Sequence, residues 1–320
     1  MKKIGVVTSG GDAPGMNAAI RGVVRIAYSK NFEVIGFERG WEGLLTNTFR
    51  LLTPRSVGGI LHLGGTILHT SRCLEFKKDE AIKKAAETLA LNNVEGLVVI
   101  GGNGSLQGAL ELSKKTNTLI AGVPASIDND VFGTDETIGF DTAVNTAVNE
   151  IDKIRDTAVS LERIFIVEVM GRTRGFLALN VGLTVGAEMI LIPEIKYENE
   201  RIIKAIREAK ERGKKSAIIV AAEGIGDTRL LATEIEKATE TEVRLSVLGY
   251  TQRGGNPSAR SRLLASLFAN KAVELIDEHQ KSSVVVLQDG KVTSMGLEES
   301  CKTEKPIDLS LLDLARVLTT

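Results

Sequence analysis

Few residues in this 320-residue sequence belong to the types that build disulfide or zinc scaffolds. Only two cysteines, Cys73 and Cys301, and three histidines are present, so the sequence predicts neither a disulfide framework nor a Cys/His zinc cluster. Forty basic and forty-one acidic residues leave a net charge of -1, which gives no reason to expect nucleic acid or a membrane surface as a partner. We find no signal-type segment and no apolar run of membrane length, so a reducing cytoplasm is the expected location.

Short apolar runs recur along the chain. Their apolar character is continuous, whereas a strand with one solvated face would alternate apolar and polar residues. This pattern predicts parallel strands covered on both faces, and charges at helical spacing over residues 79–91 and 200–212 predict crossover helices. The expected fold class is therefore α/β, with two lobes that each hold a mostly parallel, doubly wound sheet flanked by helices. The predicted strands are 4–8, 33–36, 96–100, 119–123, 164–170, 189–192, 217–222, 243–248 and 284–287.

Three of these strands run directly into glycines and then into a helix-like stretch, in VVTSGGDAPGMNAA, VVIGGNGSLQGAL and VEVMGRTRGFLAL. The carboxyl ends of parallel strands and the helix N-termini beside them present backbone N–H groups, so such turns are candidate phosphate sites. Any one of them could equally be a simple tight turn. No Walker motif is present. The spacing from Gly102 to Gly104 and Gly108 departs from the G-x-G-x-x-G pattern of dinucleotide-binding proteins. A dinucleotide-dependent oxidoreductase therefore remains an alternative, but its sequence fingerprint is absent.

Two carboxylates flank Asn129 in the segment PASIDNDVFGTD, which follows an apolar strand. Asp128 and Asp130 are so close in sequence that a cation or a shared proton is expected to stabilise the pair. The pair suits phosphoryl transfer, in which one carboxylate takes a proton from a hydroxyl group and the other holds Mg²⁺. The alternative is an Asx-rich turn with solvated carboxylates.

Four arginines, Arg163, Arg172, Arg244 and Arg253, each lie beside an apolar strand or a glycine turn. Guanidinium groups in such positions suit a phosphorylated substrate, although each arginine alone is more simply explained as a surface or ion-pair residue. Together with the aspartates they predict a site with phosphate groups at both ends and an acid/base group in the middle.

An ordered series of motifs over essentially the whole chain resembles the bacterial ATP-dependent 6-phosphofructokinase family: SGGDAPGMNAAIRG, GGTILHTSR, VVIGGNGS, SIDND, IVEVMGR, AEG and LGYTQRGG. The resemblance implies the phosphofructokinase fold, a homotetramer, and transfer of the γ-phosphoryl group of MgATP to the 1-hydroxyl group of fructose 6-phosphate, which yields fructose 1,6-bisphosphate and ADP. It also implies an ATP-binding lobe of residues 1–139 plus 252–304 and a fructose 6-phosphate-binding lobe of residues 140–251 plus 305–320.

The resemblance also implies roles for individual residues near the phosphates. Asp128 would be the base that accepts the proton of the attacking hydroxyl group, with Ser126 beside it, and Asp130 would hold Mg²⁺. Arg72 and Arg172 would stabilise the charge that develops during transfer. The residues expected to surround ATP are Gly11, Trp41, Arg72, Cys73, Gly102, Asn103, Gly104 and Ser105.

Fructose 6-phosphate and an effector would each be held by residues of more than one subunit. For the sugar phosphate the resemblance implies Ser126, Asp128, Met170, Gly171, Arg172, Glu223, Tyr250 and Arg253 of one subunit, with Arg163 and Arg244 reaching the 6-phosphate from a neighbour. For a nucleoside diphosphate or phosphoenolpyruvate effector it implies Arg21, Arg25, Arg55, Arg155, Gly186, Glu188, Arg212, Lys214, Lys215 and Ser216.

The sequence departs from the family pattern at several of these positions. Asn103 replaces an aspartate that contacts Mg²⁺, and its amide oxygen can still accept from the hydrated metal but brings no charge. Tyr250 replaces a histidine that binds the 6-phosphate, Ser261 replaces an aspartate, and Arg55 is displaced by one position. The departures at Asn103, Tyr250 and Ser261 keep open a non-catalytic subunit that binds sugar phosphates. Against it stand four retained residues, namely Asp128, Asp130, Arg72 and Arg172.

The choice of phosphoryl donor depends on two small residues. Pyrophosphate-dependent phosphofructokinases typically carry an aspartate at the position of Gly104 and a lysine at that of Ala125, whose bulk and charge close the nucleotide pocket. Both residues are small here, so the sequence favours ATP, and pyrophosphate remains the nearest alternative donor.

Overall fold

Strands alternate with helices in the computed structural model, which describes residues 2–319. The strands are β1 (Lys3–Ser9), β2 (Glu33–Phe37), β3 (Phe49–Leu52), β4 (Gly96–Gly101), β5 (Leu119–Ser126), β6 (Ile138–Gly139), β7 (Ile164–Val169), β8 (Met189–Leu191), β9 (Ala217–Ala222), β10 (Val243–Val247), β11 (Ser283–Gln288) and β12 (Lys291–Gly296). The α-helices are α1 (Met16–Ser29), α2 (Trp41–Thr46), α3 (Asp79–Leu91), α4 (Asn103–Ser113), α5 (Phe140–Ser160), α6 (Phe176–Thr184), α7 (Asn199–Glu211), α8 (Thr228–Thr239), α9 (Ala259–Asp277), α10 (Leu297–Lys302) and α11 (Ser310–Leu318). Short 3-10 helices cover Leu74–Lys77, Glu223–Ile225 and Gly249–Arg253.

The strands form two sheets. The first has the order β12-β11-β5-β4-β1-β2-β3, with β6 paired to β5, and the second has the order β10-β7-β9-β8. All pairs in the second sheet are parallel, and in the first sheet only the edge strands β3 and β12 run antiparallel to their neighbours. The α/β fold class with mostly parallel sheets is therefore confirmed.

The chain forms two compact units, each built around one of the sheets. The first unit comprises Met1–Thr142 and Arg253–Pro306, and the second comprises Ala143–Gln252 and Ile307–Thr320. The chain thus leaves the first unit within α5 and returns to it at the end of the 3-10 helix Gly249–Arg253.

All nine strands predicted from the apolar runs are present, with small differences at their ends. The helix predicted over residues 79–91 has those bounds, and the helix predicted over residues 200–212 runs from Asn199 to Glu211. Strands β3, β6 and β12 were not predicted. In β3 only Leu52 is buried, and β12 is half-buried or exposed throughout, so neither edge strand carries a continuous apolar run.

Burial on both faces of the sheets explains the continuous apolar runs. Every residue of β4 is buried, and Leu97 and Val99 of this strand belong to one apolar cluster with Ala85 and Leu89 of α3. The second unit has its own core, in which strands β7 and β9 pack with the apolar faces of α7 and α8. These cores fix the carboxyl ends of the strands, where the glycine turns lie.

No helix within residues 2–319 is both long enough and apolar enough to cross a membrane.

Candidate active site

The glycine turn after β4 leads directly into helix α4 and leaves the first turn of that helix open. The chain is extended at Gly102, and α4 begins at Asn103 with no acidic residue in its first turn. A Cβ added at Gly104 would have no atom within 4 Å, and the N–H of the buried Ser105 donates to the Gly102 carbonyl over 2.9 Å. Because the first N–H groups of a helix carry positive partial charge, segment 102–105 can bind phosphate oxygens without a cationic side chain.

A second glycine turn, after β1, lies beside the first. A Cβ at Gly10 would be 3.0 Å from the Ser105 hydroxyl, and a Cβ at Gly11 would overlap the guanidinium group of Arg253. The Arg253 side chain is only 15% exposed, and its Nη1 is 4.0 Å from Asp12 Oδ1. Its buried Nε has no hydrogen-bond partner among the residues that the structure describes. Arg253, expected at the 6-phosphate, thus lies against the turn expected to bind ATP.

An aromatic pair forms a buried wall next to α4. The Trp41 and Phe76 rings are stacked, with centroids 4.3 Å apart and an angle of 9° between their planes. A Cβ at Gly108 of α4 would lie 3.1 Å from Trp41 Nε1. Phe76 and Gly108 were not singled out from the sequence, although Phe76 lies one turn of a 3-10 helix after Cys73. Cys73 packs on the same core, whereas Arg72 is exposed.

The aspartate loop follows β5 and is braced by the side chain of Asn129. Asp128 is 4% exposed, and its N–H donates to the Ser126 hydroxyl over 3.1 Å. Asn129 has a left-handed backbone with φ of 52°. Its Nδ2 donates to the Asp135 carbonyl over 3.2 Å, and its Oδ1 accepts from the N–H of Thr137 over 3.0 Å. One buried amide therefore closes the loop and fixes the backbone that carries both catalytic candidates.

Replacing Asn129 by alanine removes both of these hydrogen bonds and leaves a residue that adopts positive φ poorly. We expect kcat to fall by about 100-fold with small changes in KM, because a shift of about 1 Å in a catalytic group costs about that much. Steady-state kinetics measures both constants. Asn31→Ala is the matched control, since Asn31 also has positive φ (62°) but is exposed. An Asn129→Ala variant as active as Asn31→Ala would contradict the bracing role.

The loop after β4 and the aspartate loop are joined directly. Asn103 Nδ2 donates to the backbone carbonyl of Asp130 over 2.9 Å, a bond that a carboxylate at position 103 could not make. Lys305 donates to the Asp135 carbonyl over 3.1 Å, and burial lowers the pKa of Lys305 to about 8 in spite of the attraction of Asp135, Asp130 and Glu136. Lys305 was missed from the sequence because it lies far along the chain in a segment without a motif.

In the second unit, a turn after β7 brings together four residues expected at the sugar. Gly171 and Arg172 both have positive φ, at 131° and 54°. The N–H of Arg172 donates to Glu223 Oε1 over 2.6 Å, which joins this turn to the end of β9. Met170 directly precedes the turn and is half-buried. The structure therefore groups Met170, Gly171, Arg172 and Glu223 within one unit.

Arg163 and Arg244 lie near the amino ends of two paired strands of the same sheet. Arg163 directly precedes β7, and Arg244 is the second residue of β10, beside Phe165 of β7. The six residues of β7 separate Arg163 from the turn that holds Arg172, a span of about 20 Å. Within one chain, these two arginines are therefore not part of the cluster that contains Arg172.

The residues expected at the effector divide between the units. In the second unit, Arg155 Nη2 donates to the Val185 carbonyl over 2.6 Å, and Lys214 Nζ lies 3.6 Å from Glu188 Oε1. A cavity of about 730 Å³ in the same unit is lined by Glu188, Arg212, Lys214, Lys215 and Ser216, among others. Gly186 has φ of 61° and lies in the turn before β8. Arg21, Arg25 and Arg55 belong to the first unit.

Two of the departures from the family pattern have contrasting surroundings. Tyr250 is 77% exposed on a 3-10 helix, so its hydroxyl is open to a ligand. Ser261 is buried in the first turn of α9, where its hydroxyl is 2.8 Å from that of Thr142 and its N–H donates to the capping Ser258. Ser261 thus has a local structural role in a hydrogen-bonded helix start.

The chain is similar to known proteins over its full length. The phosphofructokinase family model matches residues 3–276. A protein of Clostridium tetani named ATP-dependent 6-phosphofructokinase is 49% identical over 319 residues, which cover 100% of both chains. The solved phosphofructokinase of Saccharomyces cerevisiae is 35% identical with a TM-score of 0.86, and the alignment covers 94% of this chain but only 45% of the longer yeast chain.

A more distant structure shares the fold alone. It is the pyrophosphate-dependent phosphofructokinase of Marinobacter aquaeolei, which is 22% identical with a TM-score of 0.85 over 97% of this chain and 86% of its own. The full-length match at 49% identity and the family model both identify the same group of proteins. The chain therefore belongs to the phosphofructokinase family.

Proposed function

We propose that the chain is an ATP-dependent 6-phosphofructokinase, which transfers the γ-phosphoryl group of MgATP to the 1-hydroxyl group of fructose 6-phosphate and releases fructose 1,6-bisphosphate and ADP. One observation carries the proposal: a helix N-terminus suited to phosphate is hydrogen-bonded to the loop that holds a buried aspartate, through Asn103 and Asp130. Phosphoryl transfer needs these two elements side by side, because it depends mainly on positioning and charge stabilisation.

ATP is assigned to the first unit. The N–H groups at the start of segment 102–105, before that of Ser105, would receive its phosphates, and the open space at Gly104 leaves room for them. Gly11, Arg72 and Cys73 would border the nucleotide. Trp41 is buried and stacked on Phe76, so it would support the nucleotide pocket from the protein interior. Arg72, together with Arg172, would stabilise the charge on the transferring group.

Asp128 is the proposed base. Its burial keeps bulk water away, and the Ser126 hydroxyl fixes the backbone beside it. The carboxylate would accept the proton of the 1-hydroxyl group as the oxygen attacks the γ-phosphorus, and the bond from that phosphorus to the leaving oxygen of ADP would break. Ser126 would contact the transferring group from the end of β5.

Mg²⁺ is proposed to accompany ATP, and the oxygen donors near the turn fit it. Asp130 is half-buried, and no side chain within residues 2–319 forms an ion pair with its carboxylate. No group of three or more His, Cys, Asp or Glu side chains in that range is arranged to hold a metal. The single carboxylate of Asp130 suits Mg²⁺, which is commonly held by one or two carboxylates, water and substrate phosphates. The ion would neutralise charge on the phosphates of ATP.

Fructose 6-phosphate is assigned to the cluster of Met170, Gly171, Arg172 and Glu223, with Tyr250 and Arg253 at its phosphate. We propose that Arg163 and Arg244 serve the 6-phosphate of a neighbouring subunit, in a homotetramer. The position of Arg163 at the far end of β7 supports this, because the arginine cannot reach the turn at Arg172 of its own chain. A monomer would then have an incomplete site.

A nucleoside diphosphate or phosphoenolpyruvate effector is proposed at the cavity of the second unit, whose lining has both basic and acidic side chains, with Arg21, Arg25 and Arg55 contributed by another subunit. The convergence of Glu188, Lys214 and Lys215 around that cavity supports the assignment. A cytoplasmic location is part of the same proposal, with no nucleic acid or membrane partner.

The donor and the reaction can be tested together with the purified chain. Steady-state turnover of fructose 6-phosphate would be measured with Mg²⁺ and either ATP or pyrophosphate, with and without ADP or phosphoenolpyruvate. The proposal predicts turnover with ATP. Turnover with pyrophosphate alone would transfer the assignment to the pyrophosphate-dependent enzymes, and no turnover with either donor would favour a non-catalytic subunit.

Asn103→Asp tests how the chain binds Mg²⁺ without the aspartate that the family carries at this position. The variant loses the bond to the Asp130 carbonyl and adds a carboxylate that repels the phosphates of ATP until Mg²⁺ neutralises both, so we expect about tenfold lower activity at limiting Mg²⁺ and recovery at high Mg²⁺. Titrating Mg²⁺ at saturating ATP measures this. Asn103→Ala is the control, because it loses the same bond without adding a ligand and should not recover. Identical Mg²⁺ curves for the native chain and Asn103→Asp would contradict the expectation.

A further inference from the structure

A single carboxylate lies between the two arginines at the start of β7 and β10. Glu242 Oε2 pairs with Nε of Arg163, and Glu242 Oε1 pairs with Nη2 of Arg244. The side chain of Glu242 is 34% exposed, and those of Arg163 and Arg244 are 28% and 57% exposed. We infer that Glu242 is a positioning residue, which holds the two guanidinium groups side by side so that they form one binding site for the 6-phosphate of fructose 6-phosphate. The inference rests on the proposed function.

Backbone contacts hold Glu242 in place. Its carbonyl accepts from the N–H of Ile164 over 3.1 Å, which joins the start of β10 to the start of β7. The next residue, Val243, is buried, and its N–H donates to Glu236 Oε2 over 3.2 Å. Because Glu242 and both arginines are attached to paired strands, the carboxylate can fix the arginines with little conformational freedom of its own.

The arginines keep donors for a ligand. The contacts of Glu242 are to Nε of Arg163 and Nη2 of Arg244, and no acceptor of another residue within residues 2–319 is bonded to either guanidinium group. Each guanidinium group has five N–H donors in a planar fork, so an edge of each stays available to a phosphate. Two guanidinium groups and one carboxylate leave a net positive charge, as a phosphate dianion requires.

The carboxylate also offsets repulsion between the arginines. Without it, two like charges held on neighbouring strands would separate into different rotamers, and the phosphate would have to order both side chains on binding. We therefore expect the loss of Glu242 to weaken binding of fructose 6-phosphate, rather than to strengthen it by removing a competing negative charge.

Glu242→Gln tests the inference, because glutamine keeps the size of the side chain and removes its charge. The expected result is an increase of about tenfold in KM for fructose 6-phosphate, with unchanged KM for ATP and unchanged kcat. Glu240→Gln is the matched control: Glu240 is exposed, lies two residues away and forms no ion pair in the part of the chain that the structure describes. Equal or lower KM for fructose 6-phosphate in Glu242→Gln would overturn the inference.

A double-mutant cycle separates positioning from general structural damage. Glu242→Gln should have little further effect in an Arg244→Ala background, because Glu242 would then have no second guanidinium group to hold beside that of Arg163, whereas additive effects would overturn the inference. Arg163→Ala and Arg244→Ala alone must raise KM for fructose 6-phosphate. If they do not, the proposed 6-phosphate role of these arginines fails, and the inference fails with it. If they do and Glu242→Gln does not, only the inference fails.

Discussion

Replacing Asp128 by alanine is expected to lower kcat by about three orders of magnitude while KM for ATP and for fructose 6-phosphate changes little. A base acts in the transition state, so its loss affects the chemical step more than ground-state binding. Asp128 is 4% exposed and follows β5, whose last two residues pair with β6, so the backbone that carries this carboxylate is fixed. Steady-state kinetics at saturating substrates measures the effect.

Asp135→Asn is the matched control for this experiment. Asp135 lies in the same loop, but its side chain is exposed and it braces the loop through its backbone carbonyl, which the substitution keeps. We expect that control to retain kcat within about twofold, as for most surface substitutions. A kcat for Asp128→Ala close to that of the control would refute the assignment of the base.

Gly104→Asp is expected to lower kcat/KM for ATP by about 1000-fold and to leave the fold intact. A Cβ at this position has open space around it, and an acidic residue in the first turn of α4 is favourable for the helix. The carboxylate would, however, stand among the N–H groups proposed to bind the phosphates of ATP, and placing like charges together costs several kcal/mol. The ratio of kcat/KM values and the thermal midpoint test both statements.

Gly104→Asn separates charge from bulk at this position. The amide has the size of the carboxylate but no charge, so we expect it to reduce use of ATP less than Gly104→Asp does. Native use of ATP by Gly104→Asp would show that the phosphates bind elsewhere. A gain of turnover with pyrophosphate in the same variant would mark Gly104 as a determinant of donor choice.

Most of the fold was predictable because the physics of buried parallel strands is local. Each strand of this kind is covered on both faces, so its apolar character is continuous over the few residues of the strand, as in β4 and β9. Edge strands are exceptions to this rule. Strand β3 pairs at the edge of the sheet through its backbone, with Phe49 and Leu51 exposed, and no periodicity in its side chains reports that pairing.

The candidate site was predictable only in part. Glycine turns at strand ends and the aspartate pair are visible because their residues are adjacent in sequence. The pairing of Glu242 with Arg163 and the bond from Lys305 to the Asp135 carbonyl join residues that are distant in sequence, and no local pattern reports them. The Asn103 bond to the Asp130 carbonyl was also invisible, because the sequence presents Asn103 only as a missing carboxylate.

The central claim is that this chain moves the γ-phosphoryl group of ATP to the 1-hydroxyl group of fructose 6-phosphate. Incubating the purified native chain with ATP radiolabelled at the γ-phosphate, Mg²⁺ and fructose 6-phosphate, and then separating the products, measures that transfer directly. The account predicts label in fructose 1,6-bisphosphate, on the phosphate at carbon 1, and almost none with Asp128→Ala. Label found only in inorganic phosphate or remaining in ATP would contradict it.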